Sequence, residues 1–260
     1  MSKFHSLTVA HVKQETRDAI AVQLAVPDSL RESFRFIQGQ HLTLRTHVNG
    51  EDVRRSYSIC SGVEDDELRI AIKRPPGGAF STWATDTLKP GVAVDVMPPM
   101  GHFNVPLSPD NRNAYLGFAA GSGITPILSI IKTTLAVEPA SRFTLVYGNR
   151  SSSSVIFREE LAELKDRYRE RLNLVYVMSR EQQDIDLFNG RITRDKCDQL
   201  FARWIRVADH DVAFVCGPED MMHGVSEALR RPDRDVLRRA PPPVAHLDAL
   251  PLLHGAEPLE

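Results

Sequence analysis

The sequence has few cysteines, and their placement argues against several classes of protein. Three occur in 260 residues: Cys60, Cys197 and Cys216. Their odd number and wide spacing leave a disulfide framework, a zinc knuckle and a plant-type iron–sulfur loop without support. Scattered reduced thiols are typical of the cytosol, so we expect a cytoplasmic protein.

Long apolar runs and an excess of one charge are also missing. The apolar runs end well before the roughly 18 residues that a membrane span needs, and residues 1–16 lack the apolar core of a signal peptide. The formal net charge is -2, which gives no basic field for nucleic acid. The nine histidines show no metal-ligand spacing. We therefore predict no membrane, no nucleic acid and no metal ion among the partners.

The chain contains two regions with different sequence patterns. Residues 1–104 hold short alternating segments between turn residues, which predicts an antiparallel β-barrel. In residues 112–230, continuous apolar segments alternate with helical ones, which predicts an α/β domain with a doubly wound parallel sheet. Residues 105–111 are predicted to be a linker. Residues 231–260 are proline-rich and aperiodic, so we expect a disordered tail.

The elements expected in each region follow from these patterns. In the barrel we predict strands at 7–9, 21–24, 41–44, 56–59, 68–72 and 92–96, and a helix at 81–88. In the α/β region we predict strands at 114–120, 143–147, 172–178 and 211–216, and helices at 127–135, 157–168, 195–201 and 219–230.

A first candidate motif is the strand segment Arg55, Ser56, Tyr57 and Ser58. A guanidinium next to small hydroxyls can pair with a diphosphate. An aromatic side chain on the same strand can stack on a planar ring. Taken alone, the segment is explained more simply as a surface strand with a basic edge.

A second motif is a glycine turn that leads into the predicted helix. Gly77 and Gly78 precede Ser81, which we predict to be the N-cap residue. Free backbone N–H groups at such a turn attract phosphate. An ordinary turn with a helix cap explains the same residues.

A third motif, residues 121–126, lies between a predicted buried strand and a helix, where α/β folds bind nucleotides. Gly121 and Gly123 would let the backbone approach a pyrophosphate, and Pro126 suits a first helical turn. The stretch lacks the full G-x-G-x-x-G spacing, so the general dinucleotide motif is not matched.

A fourth motif begins with Cys216 at the end of a predicted strand and continues through Gly217 and Pro218 into a helix. This places a polarizable thiol at the same sheet edge as the third motif. The alternative is a buried structural cysteine, which most free cysteines are.

Arginines also follow two predicted strands, and their position matters for the choice of nucleotide. Arg150 follows one strand, and Ser179 and Arg180 follow the next. At the carboxyl end of a parallel sheet, such arginines could bind a 2′-phosphate. Solvated loop arginines are the alternative interpretation.

Together, and in this order, the motifs resemble those of the ferredoxin–NADP reductase superfamily. Arg55 to Ser58 match the superfamily's R-x-Y-S pattern, and Gly77 to Ser81 match its G-G-x-x-S pattern. Residues 121–126 match its G-[ST]-G-[IV]-[TA]-P pattern, and Cys216 to Met221 match its C-G-P-x-x-M pattern. Residues 4–9, 39–44 and 143–150 also resemble one branch, the reductase components of phenylacetyl-CoA oxygenase (epoxidase) complexes. The resemblance covers about residues 4–229.

This resemblance implies an NAD(P)H-dependent flavoprotein reductase. Hydride would pass from the nicotinamide to FAD, and electrons would leave one at a time for an acceptor protein, in this branch a multicomponent oxygenase of phenylacetate catabolism. The cofactors would do the redox chemistry, and the protein would supply positioning and electrostatics. Because Arg150, Ser179 and Arg180 resemble a 2′-phosphate site, we favour NADPH as the donor, with NADH possible.

The resemblance also implies roles for individual residues. The catalytic positions would be Tyr57 at the isoalloxazine ring, Ser58 near flavin N5, and Cys216 beside the nicotinamide. The FAD contacts would be Arg55, Ser56, Tyr57, Ser58, Ala71, Lys73, Gly77, Gly78, Ala79, Phe80 and Ser81. The nucleotide contacts would be Gly121, Gly123, Thr125, Pro126, Arg150, Ser179, Arg180, Cys216, Gly217, Pro218 and Met221.

The chain departs from this branch after its last predicted helix. The branch carries a C-terminal plant-type [2Fe–2S] domain whose clustered cysteines are absent here, and the proline-rich tail replaces a strand that reaches the flavin. We therefore predict a truncated or frame-altered reductase that reduces its FAD but lacks the cluster that passes electrons onward. Three alternatives stay open: a free-standing ferredoxin or flavodoxin reductase, a non-catalytic assembly subunit with a degenerate cofactor site, and a diaphorase-like flavin reductase.

Overall fold

The computed structural model describes residues 3–48 and 50–230, so the tail predicted to be disordered lies outside the described residues. Within that part the strands are β1 (His5–Thr16), β2 (Ala19–Ala25), β3 (His41–Val48), β4 (Glu51–Ser58), β5 (Leu68–Lys73), β6 (Ala93–Val96), β7 (Ala114–Ala120), β8 (Arg142–Asn149), β9 (Leu172–Met178) and β10 (Val212–Cys216). The α-helices are α1 (Ala79–Thr87), α2 (Ile124–Val137), α3 (Arg158–Arg167), α4 (Arg194–Arg203) and α5 (Glu219–Leu229).

The first six strands form the predicted antiparallel barrel. Their order is β4-β3-β6-β1-β2-β5, and every pairing is antiparallel. The two edge strands meet just beyond β4, where Ile59 bridges Ile70 and the Cys60 N–H donates to the Arg69 carbonyl at 2.8 Å. Inward-facing residues of the strands, such as Leu7, fill the interior.

The last four strands form the predicted doubly wound parallel sheet, in the order β10-β7-β8-β9. Alternate side chains of β7 enter different cores. Tyr115 and Ala119 join the core under α2 and α3, whereas Leu116 and Phe118 join the core under α4 and α5. Because β7 has β8 on one side and β10 on the other, the loops after β7 and β10 flank a crevice at a topological switch point.

The prediction that Ser81 caps the first helix is wrong. Helix α1 begins two residues earlier, at Ala79, and its N-cap residue is Gly78, which makes no side-chain capping bond. The Ser81 hydroxyl donates instead to the Gly78 carbonyl at 3.2 Å. Ser81 therefore lies inside the first turn, and its hydroxyl does not cap the helix N-terminus.

The barrel and the sheet share one apolar core. Ala19, Ala21, Cys60 and Ala71 of the barrel are buried with residues of α2, α3 and the parallel sheet. The predicted linker has no regular structure but contributes to this core, because Val105 is buried in it. The two regions therefore pack on each other over an apolar surface that neither covers alone.

Polar contacts surround this apolar interface. The Lys132 ammonium on α2 contacts the carboxylates of Asp65 and Glu160, the latter at 2.6 Å. The Val63 N–H donates to the Thr133 hydroxyl at 3.1 Å. These contacts join the loop before β5 to helices of the α/β region, so they fix the position of the barrel on the sheet.

Candidate functional site

Strand β4 carries the Arg55–Ser58 segment beside β3, and its two serine hydroxyls differ in their partners. The Ser56 hydroxyl lies 2.9 Å from the Thr43 hydroxyl on β3. The half-buried Ser58 hydroxyl has no hydrogen-bond partner among residues 3–48 and 50–230. Ser58 lies opposite the buried His41 in the strand register. Of the two hydroxyls, that of Ser58 is therefore the one that has no bond to another described residue to give up when it binds a ligand.

The aromatic ring of Tyr57 connects β4 to helix α1. Its centroid lies 5.7 Å from that of Phe80, which in turn lies 5.3 Å from that of Trp83. Burial raises the pKa of the Tyr57 hydroxyl well above its usual value, so this group stays protonated at neutral pH. Tyr57 can thus act as a neutral, ring-stacking surface.

The turn before α1 exposes some of the predicted cofactor residues and buries others. Gly77 has a φ of +79°, and no atom of the described residues lies within 4 Å of the position that a Cβ would occupy, so a ligand can approach the backbone there. Ala79 is exposed. The Phe80 side chain is buried in the barrel core, and that of Ala71 is buried in the shared core. These last two can offer a cofactor only their backbone groups.

The loop of residues 121–123 lies where the barrel reaches the edge of the parallel sheet. Gly121 has a φ of +54°, and the Lys73 ammonium of β5 lies 3.8 Å from the position that a Cβ would occupy there. The hydroxyl of Tyr147, from the end of β8, donates to the Gly121 carbonyl at 2.9 Å. The Thr125 hydroxyl donates to the Ser122 carbonyl at 2.9 Å. The loop is therefore held by hydrogen bonds from Tyr147 and Thr125. At Gly121 it is open to a ligand and lies next to the Lys73 ammonium.

The same loop packs directly on the chain after β10. A Cβ on Gly123 would lie 2.1 Å from the Cys216 carbonyl oxygen, so only glycine allows this backbone contact. Burial raises the pKa of the Cys216 thiol to about 12. The thiol is therefore neutral at physiological pH and is not activated as a nucleophile.

The remaining residues of the fourth motif turn the chain from β10 into α5. Gly217 and Pro218 lie between the two elements, and Met221 is buried in the first turn of α5. Pro126 is also buried in the first turn of its helix, α2. Met221 and Pro126 are therefore buried where their helices begin, beside the ends of the strands.

The predicted phosphate-binding arginines lie side by side at the ends of β8 and β9. The Arg180 N–H donates to the Arg150 carbonyl at 2.8 Å, and the Ser179 N–H donates to the Asn149 carbonyl at 2.9 Å. Both arginines are exposed. Neither guanidinium has an ion-pair partner within the described ranges, unlike those of Arg31, Arg35, Arg45, Arg54, Arg69, Arg74, Arg194 and Arg206.

The structure brings the predicted residues together in two groups. Tyr57 joins α1 on the barrel side, and Lys73, Gly121, Gly123 and Cys216 meet where the barrel touches the sheet edge. Arg150 and Arg180 lie at the same edge of the sheet, after β8 and β9, which are one and two strands away from β7. Sequence reasoning missed Tyr147, whose hydroxyl supports the glycine loop, although its position at a strand end was visible in the sequence.

Two other kinds of feature are absent from the described part of the chain. No group of three or more histidine, cysteine, aspartate or glutamate side chains there could hold a metal ion. None of the helices described is long and apolar enough to cross a membrane.

The architecture and the crevice fit two cofactors. A glycine loop beside a cation and a helix N-terminus suits a nucleotide diphosphate. A neutral tyrosine and an unpaired serine hydroxyl on the adjoining barrel suit a polar aromatic ring system. The observed donors and open backbone positions are thus compatible with a flavin on the barrel and a second nucleotide on the sheet.

Comparison with known proteins agrees with this assignment. The oxidoreductase FAD-binding domain family matches residues 6–105, and the oxidoreductase NAD-binding domain family matches residues 118–227. The fold and the site thus define a class, the flavoprotein oxidoreductases that use a nicotinamide nucleotide. The chain belongs to the ferredoxin–NADP reductase-like family of FAD- and NAD-binding reductases.

Among relatives, the chain is similar to a subunit of 1,2-phenylacetyl-CoA epoxidase from Escherichia coli. The identity is 47% and covers 91% of this chain and 67% of the relative. It is 38% identical to the ferredoxin reductase component of 3-ketosteroid-9-alpha-monooxygenase from Rhodococcus rhodochrous, over 86% of this chain and 60% of that protein. The chain thus spans roughly 60–67% of these relatives' length.

Among solved structures, the cytochrome P450 reductase GcoB of Amycolatopsis superposes with a TM-score of 0.74 at 26% identity. The match covers 92% of this chain and 69% of that one. A ferredoxin–NADP reductase of Neisseria gonorrhoeae with bound FAD and NADP gives a TM-score of 0.70 at 20% identity, over 88% and 91% of the two chains. The second comparison shows the shared fold.

Proposed function

We propose that this reductase takes reducing equivalents from NADPH and delivers electrons to an electron-accepting protein of a multicomponent oxygenase. FAD, when bound, supplies the redox chemistry by accepting a hydride and releasing electrons singly. The observation that carries the proposal is the junction at Gly121, where Lys73 of the barrel and Tyr147 of the sheet meet one open glycine loop. This junction supports the assignment of the flavin and the nucleotide to adjoining surfaces.

On the barrel, we assign the flavin contacts to β4 and to the turn before α1. Arg55 and the backbone of Gly77 and Gly78 bind the FAD diphosphate. The Tyr57 ring packs on the isoalloxazine, and the Ser58 hydroxyl donates a hydrogen bond near flavin N5. Because the Ser58 hydroxyl has no partner among the described residues, it can donate this bond without giving up another.

On the sheet, we assign the nicotinamide nucleotide to the loops after β7 and β10. The backbone of Gly121 and Gly123, with the N-terminus of α2 behind it, binds the diphosphate. The neutral Cys216 thiol packs beside the nicotinamide ring and excludes water from it. The positive Lys73 side chain, at the boundary of the two halves, neutralises phosphate charge.

We favour NADPH over NADH because of Arg150 and Arg180. Two exposed guanidinium groups on adjoining loops, without ion-pair partners in the described part of the chain, form a positive surface that a bound anion would neutralise. A 2′-phosphate supplies such an anion, and arginine binds phosphate oxygens in pairs. A 2′-hydroxyl would leave both charges uncompensated.

The acceptor proposal comes from the relatives. The Escherichia coli relative is named as a subunit of phenylacetyl-CoA epoxidase, and the Rhodococcus relative as a component of a monooxygenase. An oxygenase of phenylacetate catabolism is therefore the acceptor that we propose. We further propose that residues 1–104 form the FAD domain and 112–230 the nucleotide domain. We also propose a cytoplasmic location, on the basis of the scattered thiols.

A spectrum and an anaerobic titration test the core of the proposal. The purified protein, loaded with FAD, should be yellow, and stoichiometric NADPH should bleach it faster than NADH does at equal concentration. The variants Arg150→Ala and Arg180→Ala should slow the reaction with NADPH but not that with NADH. A colourless protein that does not take up FAD would contradict the flavin assignment, and equal rates with both nucleotides would contradict the choice of NADPH.

A further inference from the structure

We infer that Glu181 and Ser152 form a positioning pair that holds Arg150 and Arg180 at the spacing required by a 2′-phosphate, and so set the selectivity for the donor. The inference rests on the proposed use of NADPH and adds a specificity-determining pair to it. Neither residue needs to touch the nucleotide.

The pair joins the two loops that carry the arginines. One oxygen of the Glu181 carboxylate, Oε2, accepts from both the Ser152 N–H, at 2.8 Å, and the Ser152 hydroxyl, at 2.9 Å. Ser152 lies two residues after Arg150, and Glu181 directly follows Arg180. With the Arg180 N–H bonded to the Arg150 carbonyl, the loops after β8 and β9 are thus joined at two points.

The loop after β9 is also held from its other side. The side-chain amide of Asn189 donates to the Gln183 carbonyl at 3.1 Å, and its oxygen accepts from the Gln183 N–H at 2.8 Å. The Gln183 side chain donates to the Glu181 carbonyl at 3.3 Å. Glu181 is therefore the point where an ordered loop is attached to the loop of Arg150.

The pair also determines which partner the arginines have. A carboxylate next to Arg180 in the sequence is a natural ion-pair partner for it and would compete with a phosphate. Hydrogen bonds from Ser152 instead occupy this carboxylate, and they lower the pKa of Glu181, so it remains a charged acceptor. The two guanidinium groups stay available for an external anion.

An alternative explanation is that Glu181 only stabilises the short 3-10 turn at Ser152–Ser154. That turn already has its own internal bonds, because the Ser154 hydroxyl donates to the Ser151 carbonyl at 2.7 Å and accepts from the Ser151 N–H at 3.0 Å. A purely local role would leave nucleotide selectivity unchanged when Glu181 is replaced.

The test uses the FAD-loaded protein and two nucleotide fragments, 2′-phospho-AMP and 5′-AMP, titrated by calorimetry. The dissociation constant of 5′-AMP divided by that of 2′-phospho-AMP gives a ratio that isolates the contribution of the 2′-phosphate. Binding of 5′-AMP reports an intact fold. Glu181→Ala should reduce this ratio about tenfold, equivalent to about 1.4 kcal/mol, with 5′-AMP binding unchanged. Ser152→Ala, which keeps the N–H, should reduce it less.

Two further variants separate geometry from charge. Glu181→Gln should keep the wild-type ratio or increase it, because an amide oxygen can accept both bonds that Oε2 now accepts. Ser153→Ala, at the exposed neighbouring serine, is the matched control and should have no effect.

The outcomes distinguish the inference from the proposal on which it rests. A wild-type ratio in Glu181→Ala would overturn the inference while leaving the 2′-phosphate site intact, as would a Glu181→Gln ratio as low as that of the alanine variant. If the wild-type protein binds both fragments equally, the choice of NADPH fails, and the positioning role fails with it.

Discussion

The guanidinium of Arg69, on β5 of the barrel, is bound by the carboxylate of Glu160, on α3 of the α/β region. Its Nη2 lies 2.6 Å from Oε1 and 2.8 Å from Oε2, and both side chains are largely buried, at 15% and 18% exposure. Lys132 also binds Glu160, so one carboxylate contacts two cations from different elements. These cations hold the pKa of Glu160 below its usual value despite the opposing effect of its burial.

Removal of the charge on Glu160 should destabilise the protein. Glu160→Gln leaves Arg69 with Glu67 and Lys132 with Asp65 as carboxylate partners. The variant should therefore lose charge-assisted hydrogen bonds to one carboxylate, at a cost of about 2 kcal/mol. Urea unfolding measures this change in the free energy of unfolding. Glu163→Gln, at an exposed position of the same helix, is the control and should change it little. Equal stability of the two variants would show that the buried pair contributes nothing.

The two glycines of the loop after β7 should respond differently to alanine. Gly123→Ala introduces a methyl group 2.1 Å from the Cys216 carbonyl oxygen, so the loops must separate. Gly121→Ala has room for its methyl group and costs about 1 kcal/mol for its positive φ. We expect Gly123→Ala to lose both stability and nucleotide binding. We expect Gly121→Ala to stay folded but to bind nucleotide more weakly, because its methyl group enters the open space above the loop.

Thermal unfolding and equilibrium dialysis with NADPH measure the two properties. Ser122→Ala, at the exposed position between the glycines, is the control. If Gly123→Ala keeps the wild-type melting temperature, the contact between the two loops is not required for folding.

The hydroxyls of Ser56 and Ser58 should prove separable in function. Ser58→Ala should slow flavin reduction without changing stability, because its hydroxyl has no partner in the described part of the protein. Ser56→Ala should instead cost about 1 kcal/mol of stability, since it breaks the bond to Thr43, and should leave the rate close to wild type. Stopped-flow reduction with NADPH and urea unfolding measure the two effects. The reverse pattern would move the flavin contact to Ser56.

Stability should fall on acidification partly because of His41. This side chain is buried, and burial lowers its pKa below the usual value of 6.5. The contribution of the neutral His41 ring to the free energy of unfolding is complete above pH 6.5. As the pH decreases from 6.5 towards the lower pKa of the folded state, the unfolded chain takes up a proton that the buried ring does not, so the folded state loses stability.

Unfolding free energies measured between pH 7 and pH 5 test this account. His41→Gln should show a shallower loss of stability than the wild type. His11→Gln, at an exposed position of β1, should follow the wild-type curve. If His41→Gln is as sensitive to acid as the wild type, other groups cause the loss.

The parallel strands could be predicted to within two residues, as could β2, β5 and β6 of the barrel, whereas β1, β3 and β4 could not. The predictions for 114–120 and 172–178 match β7 and β9. Buried parallel strands are continuous apolar runs that end at turns, which makes their limits visible. Strand β1 runs over His5–Thr16, although only 7–9 were predicted, because exposed polar residues such as His11 and Lys13 resemble a loop.

The motifs indicated where the candidate site lies, but the contacts that organise it could not be predicted from the sequence. Ser81 was assigned as a cap from its residue type, whereas its hydroxyl bonds to the preceding turn. The pair of Arg69 and Glu160 joins residues 91 positions apart, and the pair of Ser152 and Glu181 joins residues 29 apart. Such pairs depend on how the elements pack, and no local pattern in the sequence indicates them.

The shared core under α2 and α3 has a consequence for how the molecule unfolds. Since Ala19, Ala21 and Ala71 of the barrel complete a core that also contains Tyr115 and Phe143 of the sheet, neither half retains its full apolar interior when separated. The chain should therefore melt in a single cooperative transition, without an intermediate in which only one half is folded. The two surfaces to which we assign the flavin and the nucleotide thus belong to the same folding unit, so their separation is set when the chain folds and not by the motion of one module against another.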